Sequence, residues 1–152
     1  MNWDAIGALA EVIGAVAVVV TLAYLAIQVR QNSAAIRSAT RADIAKTQAE
    51  LNWRMADNPR IGRNAYAFIQ GEEMDELDKV SAAQFLTGAL RTYENQYFAY
   101  LEGNFSASVW EGYRLNVVFT ATQSNFGHYW DDRKHLFSEE FRQLVDDIRA
   151  TD

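Results

Sequence analysis

The chain has 152 residues, the size of one domain, and 49% of them are hydrophobic, which is enough to build a packed core. Its formal net charge of −6 disfavours nucleic acid as a partner, because binding to phosphates needs a basic surface. The complete lack of Cys excludes disulfide bonds, thiolate nucleophiles and Cys-based metal sites.

The first predicted element is an apolar helix. No charged residue occurs from Val12 to Val29, and a helix of ~20 such residues crosses a hydrocarbon core of ~30 Å. A buried core helix and a cleaved signal peptide are the two alternatives. Core helices are usually shorter, and signal peptides begin with basic residues, whereas the charged residues before this segment are Asp4 and Glu11. We therefore predict a transmembrane helix over residues 1–30.

The residues that flank this segment predict its orientation. No Lys or Arg precedes the segment, and the first four that follow it are Arg30, Arg37, Arg41 and Lys46. Because basic residues accumulate on the cytoplasmic side of a membrane, we expect the N-terminus outside and residues 31–152 in the cytoplasm. Trp3 and Tyr24 lie where interfacial aromatic residues are usual, and Arg30 would anchor the cytoplasmic end.

Small and polar residues share one face of the apolar helix. They recur at steps of three and four: Gly7, Ala10, Gly14, Ala17, Thr21, Tyr24 and Gln28. Small residues let helices approach closely in lipid, so this face predicts packing against a second copy or another membrane protein. Glu11 lies beside it, and we expect this carboxylate to be solvated near the membrane surface. A channel-like oligomer with Glu11 and Thr21 facing a lumen is an alternative.

The helix is expected to continue beyond the membrane. No Gly or Pro occurs between Gly14 and Pro59, and the intervening sequence is rich in helix-forming residues. One face carries apolar and Thr residues at helical spacing: Ile36, Thr40, Ile44, Thr47, Leu51 and Met55. We therefore predict one long rod that ends at Asn58-Pro59.

The rest of the chain predicts further helices and an all-α fold. We expect a short helix over Ile61 to Gln70, an acidic loop over Gly71 to Asp78, and helices that begin near the capping patterns Ser81-x-x-Gln84 and Ser108-x-x-Glu111. A shorter helix near Phe126 precedes a last helix capped by Ser138. That helix has an apolar stripe: Phe141, Leu144, Val145 and Ile148. These elements predict an antiparallel bundle of about four helices.

One cluster of titratable residues has a spacing compatible with a metal site. On a helix, His128, Asp131 or Asp132, and His135 would share a face, and two imidazoles with a carboxylate can bind a metal. The neighbouring basic residues instead favour an ordinary solvated face, so we expect no metal and no cofactor. The aromatic residues from Thr92 to Tyr100 and beyond Trp110 indicate either a core or a ligand pocket.

Two motifs resemble a family. The stretch YLAIQVRQNSAAIRSAT after an apolar helix, with YWDDRKHLFSEEF near the C-terminus, is similar to a large group of small bacterial membrane proteins without an established activity. The resemblance implies one N-terminal transmembrane helix, a helical domain and location in the bacterial inner membrane. Members of the group often carry a Pro-Gly pair where this chain has Ser124 to Gly127, so that turn is expected to differ.

No catalytic motif accompanies these features, since the sequence contains no P-loop, no nucleophile elbow and no zinc-protease motif. We therefore expect a non-catalytic membrane protein that self-associates or docks onto a partner, as a scaffold or accessory subunit. A membrane-tethered ligand or metal sensor, or a small enzyme, built on the aromatic residues and the face of His128 and His135, is the alternative from another class.

Overall fold

The computed structural model describes residues 3–151, except for the side chains of Trp3, Ala5, Ile6 and Ala10. It has six α-helices in this range: α1 (Trp3–Asp57), α2 (Pro59–Gln70), α3 (Glu76–Leu101), α4 (Ala107–Ala121), α5 (Phe126–Arg133) and α6 (Glu139–Thr151). A short 3-10 helix, Lys134–Leu136, follows α5. None of the described residues lies in a β-strand. The predicted all-α fold, a long N-terminal helix followed by a helical bundle, is confirmed.

The chain divides into two compact units, Met1–Ala39 and Thr40–Asp152. The described part of the first unit consists entirely of α1. The second unit contains the remainder of α1 and all the other helices. Its boundary at Thr40 lies further along the chain than the end of the predicted transmembrane segment at residue 30.

The last part of α1 packs onto α3 in the second unit. Ile44 is buried there, near Ala99 and Phe105. The Arg41 guanidinium donates a hydrogen bond to the backbone carbonyl of Asn104. One turn beyond Ile44, Gln48 Oε1 accepts a hydrogen bond of 2.9 Å from Gln96 Nε2, whose side chain is fully buried. The predicted apolar face of the rod is therefore a packing face near its middle, at Ile44.

The main core of the second unit is aromatic. Its rings come from α5, α6 and the segment between them: Phe126, Tyr129, Trp130, Phe137 and Phe141. Phe126 and Trp130 stack with their ring centroids 5.8 Å apart, and the Trp130 indole N–H donates a 2.7 Å hydrogen bond to Asp146. Because each ring covers a large apolar area, this cluster holds the short helix α5 against its neighbours.

The beginning of α3 differs from the prediction. The helix starts at Glu76, because the Asp75 side chain accepts a 2.8 Å hydrogen bond from the backbone N–H of Asp78 and caps the first turn. Ser81 lies inside the helix, so the predicted start there is wrong. The acidic loop is correspondingly shorter and ends at Asp75.

The predicted start is displaced for α4 and confirmed for α6. Helix α4 begins at Ala107 with Ser106 before it, so the predicted cap at Ser108 is displaced by two residues. The prediction for α6 is confirmed, because Ser138 Oγ accepts a 3.3 Å hydrogen bond from the backbone N–H of Phe141. Phe141 and Val145 of the predicted stripe are fully buried.

A tight turn at Gly71 ends α2 beside the segment that precedes α5. Gly71 ends α2 with φ +76°, a conformation that favours glycine. An added Cβ at Gly71 would lie 3.3 Å from the Asn125 Cβ. Asn125 in turn donates to α2 twice, through its backbone N–H to the Ile69 carbonyl at 2.9 Å and through its side chain to the Phe68 carbonyl at 3.0 Å. The last turn of α2 is thus fixed beside α5.

Candidate functional site

Helix α1 contains a segment that is long and apolar enough to cross a membrane. Within Gly7–Asp57, an 18-residue window has a mean hydropathy of 2.4, and none of this window is buried inside the protein. Large aliphatic side chains are exposed along the segment, for example Val19 at 64% and Leu22 at 61%. The core helix of a soluble protein would bury such side chains against its own chain. Among the described residues, none covers this continuous apolar surface.

The predicted small-residue face is exposed wherever it is described. Gly7 and Gly14 have no atom within 4 Å of an added Cβ, and Ala17 and Thr21 are exposed. The Thr21 hydroxyl donates a 2.8 Å hydrogen bond to the Ala17 carbonyl, which satisfies its donor within the helix. The side chain of Ala10 lies outside the described residues.

The remaining predicted membrane residues are also exposed. Tyr24 accepts a 3.0 Å hydrogen bond at its hydroxyl from the Gln28 side-chain amide, so two polar groups near the end of the apolar segment satisfy each other. Arg30 and Glu11 are exposed in the first unit. The side chain of Trp3 lies outside the described residues.

The four predicted metal-site candidates do not form a cluster. His128, Asp131 and Asp132 are exposed on α5, whereas His135 lies in the following 3-10 helix. The helical spacing that would align His135 with His128 ends at Arg133. Among the described residues, no group of three or more His, Asp or Glu side chains is arranged to hold a metal ion. Asp131 instead contacts Lys134 at 3.2 Å and Arg149 at 3.5 Å.

Most of the aromatic residues pack together in the interior. Trp110 lies with its ring centroid 5.2 Å from Tyr97 and 5.6 Å from Tyr100, and the α5 and α6 rings form the core described above. Two aromatic side chains, Phe68 and Tyr129, also line a cavity in the second unit. Burial raises the pKa of the Tyr129 hydroxyl, which lies 2.8 Å from the Thr87 hydroxyl.

That cavity is an open groove of about 690 Å³, a volume within the range of small-molecule and peptide sites. It lies beside the loop after α2, the first turns of α3, and α5. Apolar side chains form part of its lining: Phe68, Met74, Val80, Ala83 and Tyr129. Six charged side chains also line it: Glu72, Glu73, Lys79, Asp131, Asp132 and Arg133. The remaining lining residues are Gly71, Asn125 and His128. We name it the acidic groove.

The charges of the acidic groove are only partly neutralised within the chain. Lys79 forms a 2.8 Å salt bridge with Glu76, and Lys134 holds the pKa of Asp131 below its ordinary value by a hydrogen bond. Glu72 and Glu73 are exposed and form no salt bridge with the described residues. Lys79 also interacts electrostatically with Glu73. The groove therefore carries four carboxylates and two cationic side chains beside an apolar surface. No motif in the sequence indicated the groove, because its residues come from three separate stretches, 68–74, 79–83 and 125–133.

No protein-family model, curated protein or solved structure matches this chain.

Proposed function

We propose that this chain is a single-pass protein of a bacterial inner membrane that self-associates through α1 and serves as a non-catalytic scaffold or accessory subunit. The observation that carries the proposal is the exposed apolar segment of α1, with its mean hydropathy of 2.4 and no burial within the protein. In water such a surface would be unfavourable by about 25 cal/mol for each Å² exposed, whereas lipid removes this cost.

Self-association is supported by the small-residue face. Close approach of two helices in lipid depends on small side chains, and Gly7, Gly14, Ala17 and Thr21 supply them on one side of α1. In the isolated chain, an added Cβ at Gly7 or Gly14 would meet no atom within 4 Å, so this side has room for a second helix. A second copy always offers the same face, and closed homo-oligomers are the commonest assemblies.

The Cys-free sequence permits a direct test, because a single introduced thiol is unique in the chain. Ala17→Cys places the thiol on the small-residue face. Ala15→Cys is the matched control, since two residues turn a helix by about 200° and place the thiol on the opposite side. After mild oxidation of isolated membranes, we expect Ala17→Cys to form several-fold more disulfide-linked dimer than Ala15→Cys on a non-reducing gel.

Two outcomes would contradict the proposal. Recovery of the protein in the soluble fraction after a carbonate wash would show that α1 does not span the membrane. Equal cross-linking of the two variants, or none in either, would show that the copies do not associate through the small-residue face.

A further inference from the structure

The last part of α1 is held in the second unit by a small apolar contact. From residue 40 to residue 57, Ile44 is the one buried side chain. Thr40, Gln48 and Leu51 are half-buried on the same side of the helix, and the other side chains of this stretch are exposed. The shorter α6 buries two side chains completely. We name residues 40–57 of α1 the strap.

A polar contact between the strap and α3 leaves a buried atom without a partner. Gln96 of α3 is fully buried and donates through Nε2 to Gln48 Oε1 at 2.9 Å. Its own side-chain oxygen, Gln96 Oε1, has no hydrogen-bond donor among the described residues. A buried polar atom without a partner costs stability, whereas water satisfies it once it is exposed. The contact between the strap and α3 is therefore penalised at Gln96.

The packing beside Ile44 is also incomplete. An open cavity of about 220 Å³ lies between the strap and α3, although protein interiors usually leave few voids larger than a water molecule. The strap and the last turns of α3 both line this cavity: Thr40, Asp43, Ile44 and Thr47 on one side, and Thr92, Asn95, Phe98, Ala99 and Glu102 on the other. The strap thus lacks both the apolar area and the close packing of a permanent helix contact.

The main core of the second unit forms without the strap. Its buried residues lie between Ile69 and Val145, and none of them belongs to α1. Ile44 instead forms a separate small cluster with Ala99 and Phe105. Elements with few buried apolar contacts open at a lower free energy than the core of a domain. The strap is therefore the helical stretch of this unit that can separate without disrupting the aromatic core.

We infer that the strap docks on α3 and releases from it while the rest of the second unit stays folded. Release exposes Gln96 Oε1 to water and uncovers the α3 surface around Ala99. Because α1 is one helix from Trp3 to Asp57, the strap and the apolar segment belong to the same helix. A change at the apolar segment therefore reaches the second unit as docking or release of the strap. The inference goes beyond the proposed function and is independent of it, since release requires no second copy.

The test is thiol labelling of the full chain in mild detergent, because each introduced thiol is unique in the Cys-free sequence. Ala99→Cys places a thiol under the strap, at a position that is 3% exposed. Ala121→Cys is the matched control, since Ala121 is 5% exposed but lies in the main core. The reagent is a dye-linked maleimide, which is larger than the 220 Å³ cavity and reacts only after the strap has moved.

We expect Ala99→Cys to react at least tenfold faster than Ala121→Cys. Each rate is first divided by the rate of the same thiol in the urea-unfolded chain, so that the ratio reports the population of the open state. Circular dichroism checks the fold of each variant. If Ala99→Cys prevents folding, Ile44→Cys reports the same release from the strap itself.

A pair of identical substitutions separates release from global unfolding. Ile44→Val weakens the docked strap and should accelerate labelling of Ala99→Cys about threefold. Ile69→Val is the matched control in the main core. Because that core stays formed in the released state, Ile69→Val should accelerate labelling of Ala121→Cys and leave that of Ala99→Cys within about 1.5-fold.

The amide contact has a test of its own. Gln48→Met with Gln96→Met replaces both amides by apolar side chains of similar volume and removes the unpaired oxygen, an exchange that can stabilise a buried contact. We expect this pair to slow labelling of Ala99→Cys at least fivefold. Unchanged or faster labelling would overturn the role of Gln96 in release.

Three other outcomes would overturn the inference as a whole. Equal normalised rates for Ala99→Cys and Ala121→Cys, or equal acceleration of Ala99→Cys by the two valine substitutions, would show that the strap separates only when the whole unit unfolds. A lack of acceleration by Ile44→Val would show that the docked strap does not protect Ala99. None of these results bears on the Ala17→Cys cross-link, so self-association stands or falls separately.

Discussion

A single buried carboxylate links α3 to the start of α6. Glu94 is 4% exposed, and its two oxygens serve different partners. One accepts a 2.7 Å hydrogen bond from Arg91, and the other accepts a 2.7 Å hydrogen bond from the backbone N–H of Ser138. Arg91 also donates to the Leu136 carbonyl. The Ser138 N–H precedes α6, so Glu94 satisfies a donor that the helix itself leaves without a partner.

We predict that Glu94→Ala lowers the free energy of unfolding by about 2–4 kcal/mol, because it leaves the Ser138 N–H without its acceptor and removes the buried carboxylate that pairs with Arg91. Urea titration followed by near-ultraviolet circular dichroism of the aromatic core measures this change. The matched control is Glu111→Ala, which removes an exposed partner of Arg114 at 2.7 Å and should cost at most about 1 kcal/mol. Equal losses in the two variants would show that the Glu94 contacts do not stabilise the fold.

Within helix α1, two isoleucines of the predicted apolar face, Ile36 and Ile44, have different surroundings. Ile44 is 9% exposed where α1 packs against α3, whereas Ile36 is 58% exposed in the first unit. They are eight residues apart, which places their side chains about 80° apart around the helix, on the same broad side. Their side chains are identical, so the difference between them reports only on packing within the second unit.

We predict that Ile44→Ala destabilises the second unit by about 2–4 kcal/mol, since it removes a buried side chain and leaves a cavity. Ile36→Ala should change the free energy of unfolding by no more than about 0.5 kcal/mol, as for other exposed positions. Urea unfolding of the two variants under the same conditions measures both values. A loss at Ile36 as large as that at Ile44 would mean that the first unit also depends on this face.

The ends of these helices show which structural features the sequence patterns predict. The Asn58-Pro59 breaker predicted the end of α1, and Ser138 predicted the start of α6, because each signal is local. The predicted start of α3 was wrong because two residues fit the capping pattern. Asp75 precedes the acidic Asp78 by three residues, and Ser81 precedes the amide Gln84 by three. A local pattern alone cannot choose between two such caps. The acidic groove and the role of Glu94 depend on contacts between distant segments, which spacing along one helix does not encode.

For the whole molecule, the proposed membrane topology follows from the position of the basic residues relative to the apolar segment of α1. The apolar segment of α1 is followed by Arg30 and Arg37, both exposed in the first unit. Basic residues next to a span hold that end in the cytoplasm. The second unit would then lie in the cytoplasm, and the residues near Asp4 would lie outside.

We predict that a membrane-impermeant thiol reagent labels Asp4→Cys in spheroplasts and leaves Ser108→Cys unlabelled until the membrane is permeabilised. Both positions are exposed in the structure, so a difference in labelling reports the side of the membrane rather than burial. Labelling of both variants after permeabilisation is the control for thiol reactivity. The reverse pattern in intact spheroplasts would invert the proposed orientation.

The packing of Trp130 among the core rings gives the protein an internal optical reporter. Trp130 is fully buried and Trp110 is 6% exposed, whereas Trp53, near the end of α1, is 73% exposed. Indole emission shifts to shorter wavelength in an apolar environment, so the buried pair should emit in the blue and Trp53 further to the red. With Trp3 replaced by Phe, an aqueous quencher would therefore extinguish the Trp53 emission first, and protection of that red component on self-association would reveal whether the end of α1 becomes covered, without any added label.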